Sequence, residues 1–469
     1  MKSTLVHYMI TLALLSVFAS AAGAKESWPT AARPNVIVIV ADDLGYSDLP
    51  KFGKSEIPTP HIDRLADQGV LFTDAYVTAP ICVASRMALM TAQYQQRFGM
   101  YDNIYGKDKN ALFLRQKLLP QVFQEAGYQT ALVGKWHLSG NSAHVWEQPG
   151  PRERGFGEWV GFRGGGCDYW KGATLFRNDA AFKAPEYLTD YLGREACRFI
   201  ERNRRQRFFL YLAFNAVHAP LHALPKDAAE FQLIKDDNRR AYAGMLSAMD
   251  RSIGKVLQTV DRLKLRDQTI IVFLNDNGGG GRTSRYASHS RNYANNLPLR
   301  GHKFDVFEGG VRVPMIMRWP HRLPHGLVYR QVVSSMDIFP TLVQAAGLKM
   351  PAGQPCDGVD LIPFLTEENK GEPHQWLCWQ NRDWSPETPG GYAVPQKFVH
   401  NSAIRRGKWK LVRLAEKINS NDPPPAWQLF DLSRDLGEQE DVAHANVETA
   451  RALESVFTSW RASMHPSIE

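Results

Sequence analysis

Residues 35–43 read NVIVIVADD: five β-branched residues in a row, an alanine, then two aspartates. No polar residue interrupts the run on either alternating face. Such a run is the signature of a strand buried on both sides in a mostly parallel sheet. Three more stretches share the plan of an apolar run that ends in reactive residues. They are TALVGKWHL (130–138), RFFLYLAFNAVHAP (207–220) and TIIVFLNDNGG (269–279). Between them lie stretches with helical apolar spacing, at 59–72, 119–128, 187–203 and 241–263. Alternating strands and helices predict an α/β fold built on a central sheet.

After about Leu365 the texture changes. TEENKGEPHQ (366–375) is a polar connection. WLCWQ, SAIRRGKWKLVRL and WQLFDL follow with the look of antiparallel strands, and NVETARALESVFTSWRASM (446–464) closes as an amphipathic helix. The expected organisation is a signal peptide at 1–24, a catalytic domain at 25–370 and a small α+β subdomain at 371–469.

The N-terminus supports the first of these. Lys2 precedes an apolar stretch shorter than the ~20 residues a membrane span needs, and Ala22-Gly23-Ala24 fits a cleavage site. Export to the periplasm or medium is expected, with no membrane anchor. The sequence holds no N-x-[ST] sequon, which favours a bacterial source. Five cysteines form no C-x-x-C pair, and their odd number leaves a thiol over; Cys356 and Cys378 flank the domain junction and are candidates to pair. The net charge of +8 fits either an anionic partner or a solvated basic surface. The densest basic run, 202–207, reads as a loop before a strand, so nucleic acid is not expected as partner.

In open α/β sheets ligands bind beyond the carboxyl ends of the strands. Asp42, Asp43, His218, Asp276 and Asn277 all stand at such ends. Lys135 and His137, two apart, are expected on one strand face. Asp42, Asp43, Asp276 and Asn277 offer oxygen ligands, which select calcium or magnesium over zinc. Taken alone, Asp42-Asp43 fits helix capping equally well; the second acid pair, after a second buried strand, favours a metal. In APICVASRMALMTA (79–92), Pro80 leads into a helix with Cys82 in its first turn and Arg86 one turn on. Helix N-terminus and cation together favour anions and are expected to depress the thiol pKa. Alone, this pair also fits a buried cysteine and a surface arginine.

CVASRMALMTAQYQQRFG (82–99) resembles the sulfatase signature C-x-P-x-R followed by a T-G-[RK]-Y-like stretch. NVIVIVADDLGYSDL resembles that family's first metal strand, GKWHL its Lys-x-His segment and FLNDNGG its second metal strand. LRGHKFDVFEGGVRVPMIMRWP (299–320), SSMDIFPTLVQAAG (334–347) and DGVDLIPFL (357–365) are also similar, in family order. Ala84 stands where proline is usual, Ala92 where glycine is usual, and Ser47 and Pro50 where the first loop commonly has glycines.

The resemblance implies an alkaline phosphatase-like fold. It implies conversion of Cys82 to Cα-formylglycine by a formylglycine-generating enzyme. One hydroxyl of the hydrated aldehyde would attack a sulfate ester. A cation on Asp42, Asp43, Cys82, Asp276 and Asn277 would neutralise charge together with Arg86, Lys135 and Lys303. His218 would protonate the leaving alcohol, aided by Lys303, and His137 would take the proton from the second hydroxyl. The glycine-rich stretches 161–170 and 275–301 carry aromatics and arginines suited to sugars and their sulfates. A sulfated carbohydrate is therefore the expected substrate, with His222 and His302 left as minor substrate-side candidates. Two alternatives are a phosphomonoester or phosphonate hydrolase of the same superfamily, and an exported glycan-binding protein with a dead site. The first would suit a Ser or Thr nucleophile with two metals; the second would suit loss of Cys82, Lys135 or an acid. The chain shows neither change.

Overall fold

The computed structural model describes residues 33–102, 111–139, 149–281, 293–382, 400–414 and 426–465. The expected signal segment, 1–24, lies outside them, as do 282–292 of the second glycine-rich stretch.

A ten-stranded sheet runs through the molecule. In chain order its first members are β1 (Asn35–Ala41) and β2 (Val70–Phe72); β3 (Ala75–Tyr76) belongs to a separate small ladder. Then come β4 (Gln129–Lys135), β5 (Glu158–Phe162), β6 (Thr174–Arg177), β7 (Ala180–Lys183), β8 (Phe208–Ala213), β9 (Thr269–Asn275), β10 (Met315–Arg318) and β11 (Leu327–Tyr329). The spatial order is β11-β2-β10-β9-β1-β8-β4-β5-β6-β7. The middle strands β9, β1, β8, β4 and β5 are all parallel, so their carboxyl ends share one edge. Antiparallel β10 and β6 flank this block.

β1 explains the sheet's two-sided burial. Val36, Val38 and Val40 enter one apolar core, while Ile37, Ile39 and Ala41 enter the other, as the two-residue period requires. Each fully buried Val or Ile contributes about 1.5–3 kcal/mol. Helices α1 (Pro60–Asp67), α4 (Leu188–Arg202) and α5 (Asp237–Arg262) cover the Ile37 face. Helices α2 (Cys82–Thr91), α3 (Leu119–Glu125) and α6 (Ile338–Ala345) cover the Val38 face.

The C-terminal segment forms β13 (Leu377–Arg382), β14 (His400–Arg406), β15 (Trp409–Arg413) and β16 (Gln428–Asp431), after β12 (Val333–Ser334) pairs with β3. The four strands make an antiparallel sheet closed by α7 (Val447–Ala462). Alternation sends Ala403 and Val412 towards Val306, Phe307 and Val311, and Ile404 and Leu411 towards Phe457 and Trp460 of α7. A buried ion cluster ties this sheet to the segment that leads into β10: Lys410 Nζ meets Glu308 at 2.9 Å and Glu438 at 3.2 Å. Residues Pro34–Glu469 pack as one compact unit. The five cysteines form no disulfide; Cys356 is exposed and Cys378 buried, which corrects the pairing considered for them.

Ala92 caps α2 in the left-handed region, at φ 58°. A Cβ is disfavoured there, which gives a physical reason for glycine at this place. Ala92→Gly is expected to stabilise the protein by about 1 kcal/mol, read as a higher denaturation midpoint. An unchanged or lower midpoint would show that the Ala92 methyl contributes more in the core than its backbone costs.

Candidate active site

The shared carboxyl edge of the parallel strands brings the sequence candidates together. β1 delivers Asp42 and Asp43, β9 delivers Asp276 and Asn277, and β4 delivers Lys135. The turn after β8 carries His218, and α2 starts at Cys82 with Arg86 one turn later. Lys303 arrives from the loop before β10; its backbone N donates to Gly279 O at 3.1 Å.

Consecutive strand residues point to opposite faces, yet both aspartates reach the site. Asp42 accepts from Lys135 Nζ at 2.6 Å, and Asp43 accepts from Lys303 Nζ at 2.8 Å. The chain achieves this by leaving the strand: Asp43 is left-handed, at φ 60°, a conformation Asp tolerates. A similar departure corrects the expectation for His137. β4 ends at Lys135, and His137 sits beyond it at φ 55°. Its buried ring still lies in the field of Lys135, Arg86 and Lys303. The glycine before Lys135 is required by close approach. A Cβ on Gly134 would stand 1.8 Å from Ala213 O of β8.

Three carboxylates and three cations interlock here. Arg86 Nε and Nη2 each lie 2.8 Å from Asp276 Oδ2, and Nη2 lies 3.9 Å from Asp42. Asn277 Nδ2 donates to Asp43 Oδ1 at 2.7 Å. His218 Nε2 lies 3.6 Å from Asp43 Oδ2. Burial raises the Asp43 carboxyl pKa, but Lys303 and His218 outweigh it and the net direction is down. Asp276 goes up, through burial and the nearby Asp42, against Arg86. Burial and then Lys303 lower His218; burial, Lys135 and Arg86 push His137 well below the ordinary imidazole value. Before substrate binds, the imidazolium form of both rings is therefore disfavoured. The Cys82 thiol is raised, because burial outweighs Lys135 and Lys303. That corrects the expected depression and makes a resting thiolate unfavourable.

Several buried polar atoms lack a hydrogen-bond partner among the described residues: Asp42 Oδ1, Asn277 Oδ1, Arg86 Nη1 and both His137 ring nitrogens. Such orphans are costly unless a ligand satisfies them. The two oxygens suit a cation and the Arg86 nitrogen suits an anion. Ligand atoms of Asp42, Cys82 and Asp276 lie within 4.8 Å of one another, and so do those of Asp42, Asp43 and His218. Oxygens dominate these sets, so the residues fit a hard divalent cation.

The family model described as Sulfatase matches residues 34–348. The chain belongs to the sulfatase family. A second model, described as N-sulphoglucosamine sulphohydrolase, C-terminal, matches residues 302–459. The chain is 32% identical to the uncharacterized sulfatase YdeN of Escherichia coli, over 94% of this chain and 88% of that one. It is 31% identical to human N-acetylgalactosamine-6-sulfatase, over 90% and 84%. The crystal structure of Ps i-CgsB in complex with k-i-k-neocarrahexaose superposes with a TM-score of 0.79 at 33% identity, over 93% and 94%. The protein is thus a sulfuric ester hydrolase with the mixed, mostly parallel sheet and small antiparallel sheet of the alkaline phosphatase-like fold.

Sequence reading missed the supports of this candidate site. Asn275 Oδ1 accepts from Leu44 N at 3.1 Å and Nδ2 donates to Leu44 O at 2.7 Å, clamping the loops after β1 and β9. The one signal was an amide ending an apolar run. Asn381 of β13 donates to Phe304 O at 2.9 Å, beside Lys303. Nothing local marked it.

Breaking one partner of a buried ion pair strands the other charge. Arg86→Leu should therefore lower unfolding free energy by about 3–5 kcal/mol in chemical denaturation. A loss under about 1 kcal/mol would mean that Asp276 is neutral in the folded protein.

Proposed function

We propose that this sulfatase hydrolyses sulfate esters of a sulfated carbohydrate, polysaccharide or oligosaccharide, and releases inorganic sulfate. Residue 82 acts as formylglycine, made from Cys82 by a formylglycine-generating enzyme. Asp42, Asp43, Asp276, Asn277 and residue 82 hold one divalent cation, calcium or magnesium. The observation that carries this reading is the position of Cys82. It opens α2 one turn before Arg86, with its Sγ and carboxylate oxygens of Asp42 and Asp276 within 4.8 Å of one another. Oxygen at residue 82 would complete an all-oxygen donor set.

Formylglycine supplies a nucleophilic hydroxyl, and the bound cation supplies positive charge that favours its ionisation. The chain's own groups do the rest. Arg86 fixes the hydroxyl side of residue 82. Lys135 and Lys303 donate to the sulfuryl oxygens as charge shifts to the leaving alcohol. His218 keeps part of its ring open beside Asp43; in the imidazolium form, which Asp43 and the negative charge of a bound sulfate ester favour, it gives its proton to that alcohol and is left neutral. His137 accepts the proton that must leave residue 82 before it is reset.

Sugar substrates are favoured by the relatives' own names, which cite N-acetylgalactosamine 6-sulfate chemistry and a neocarrahexaose complex. The basic chain and the expected signal peptide agree with an exported enzyme meeting a polyanion in the periplasm or outside the cell. Among the described residues no helix is long and apolar enough to cross a membrane.

Sulfate release from 4-nitrophenyl sulfate and from sulfated oligosaccharides tests the reaction. His218→Ala should lower kcat by about 10²-fold or more on sugar esters, whose alcohols need a proton, and by about tenfold or less on the aryl ester. Equal losses on both would remove the general-acid role; absence of sulfate release from either substrate would remove the reaction.

A further inference from the structure

Trp170 is the one aromatic among the described large apolar side chains left exposed, with 38% of its surface open. It is not loosely placed. Its indole stacks on the His222 imidazole, with centroids 5.2 Å apart and planes at 26°, and Tyr187 flanks it at 6.1 Å. Asp168 Oδ1 accepts from Trp170 N at 3.0 Å and lies 3.2 Å from His222 Nδ1. Tyr187 Oη donates to His222 O at 2.7 Å, which fixes the backing ring from behind.

This platform is bonded to the catalytic edge. Neighbouring Tyr169 donates its hydroxyl to Asn215 O at 2.6 Å and to His218 O at 2.8 Å. Asn215 Nδ2 returns a bond to Cys167 O at 2.8 Å. A Cβ built on Gly166 would come within 3.7 Å of the His218 ring, so the loop passes against that ring. His222 itself follows His218 by four residues. The open indole, the carboxylate of Asp168 and the imidazole of His218 therefore belong to one rigid neighbourhood.

We infer that Trp170, backed by His222 and edged by Asp168, is the subsite for a pyranose ring on the leaving-group side of the scissile ester. The inference rests on the sulfatase reading of His218 given above. An open indole matches the apolar C–H face of a pyranose, and a prestacked ring binds without first being ordered. The half-exposed Asp168 carboxylate accepts from sugar hydroxyls and repels sulfate or carboxylate groups. The occupant is therefore a sugar unit that is uncharged where it meets Asp168, within a chain sulfated elsewhere.

The test uses the full-length protein with Cys82→Ala, which binds without turnover. Titration calorimetry with k-i-k-neocarrahexaose and with an oligosaccharide carrying N-acetylgalactosamine 6-sulfate supplies two defined probes. Trp170→Ala should weaken binding of the better-bound glycan about tenfold, and Trp170→Phe should restore most of it. In Cys82-containing protein, Trp170→Ala should raise KM for that glycan more than it lowers kcat, with a clearly smaller loss on 4-nitrophenyl sulfate. Unchanged glycan affinity, or equal losses on glycan and aryl ester, would overturn the subsite; so would failure of the Trp170-containing protein to bind either glycan. Failure of the sulfatase reading is separate, since it appears as no sulfate release from the aryl ester by the parent protein.

Discussion

The Lys135–Asp42 ion pair joins two side chains that are wholly buried, 2.6 Å apart, at the ends of β4 and β1. Buried ion pairs seldom stabilise a fold more than packed apolar residues would, so its presence points to use. The same holds for Arg86–Asp276 and Lys303–Asp43. Among the described residues three carboxylates face three cations. Under the proposed chemistry a divalent cation adds two positive charges. A sulfate monoester and an ionised hydroxyl on residue 82 add one negative charge each, which offsets it. Removing any one group leaves its buried partner uncompensated.

The fold makes that pairing by geometry. Parallel strands end together, so residues distant in sequence meet at one edge: Asp42, Lys135 and Asp276 span more than two hundred positions. Gly134 lets β4 approach β8, and left-handed turns at Asp43 and His137 re-aim side chains that strict alternation would send apart. The small sheet contributes from outside, through Asn381 beside Lys303 and Lys410 on Glu308. The C-terminal segment is in this sense part of the site's frame.

The large elements were legible because their periods are clean. NVIVIVADD and TIIVFLNDNGG read as two-sided strands and are β1 and β9; the amphipathic stretches at 187–203 and 241–263 became α4 and α5. The antiparallel C-terminal sheet was legible for the same reason. Candidate site residues stood out where they end an apolar run, and the sheet brings those ends to one edge. What stayed hidden depends on backbone turns and contacts between distant segments. The strand was expected to continue through His137, because nothing in GKWHL announces a left-handed residue. The Cys82 thiol was expected to be acidic, because helix start and Arg86 are visible in sequence while its burial is not. Asn275 and Asn381 act through single long-range hydrogen bonds that leave no pattern.

The account turns on the chemical state of residue 82. The decisive measurement is the mass of the peptide containing it, taken from a preparation co-produced with a formylglycine-generating enzyme and shown to release sulfate. The account predicts a formylglycyl residue, with the cysteine sulfur lost and an aldehyde oxygen gained. An intact cysteine throughout a fully active preparation would contradict it and would require another nucleophile at the α2 N-terminus.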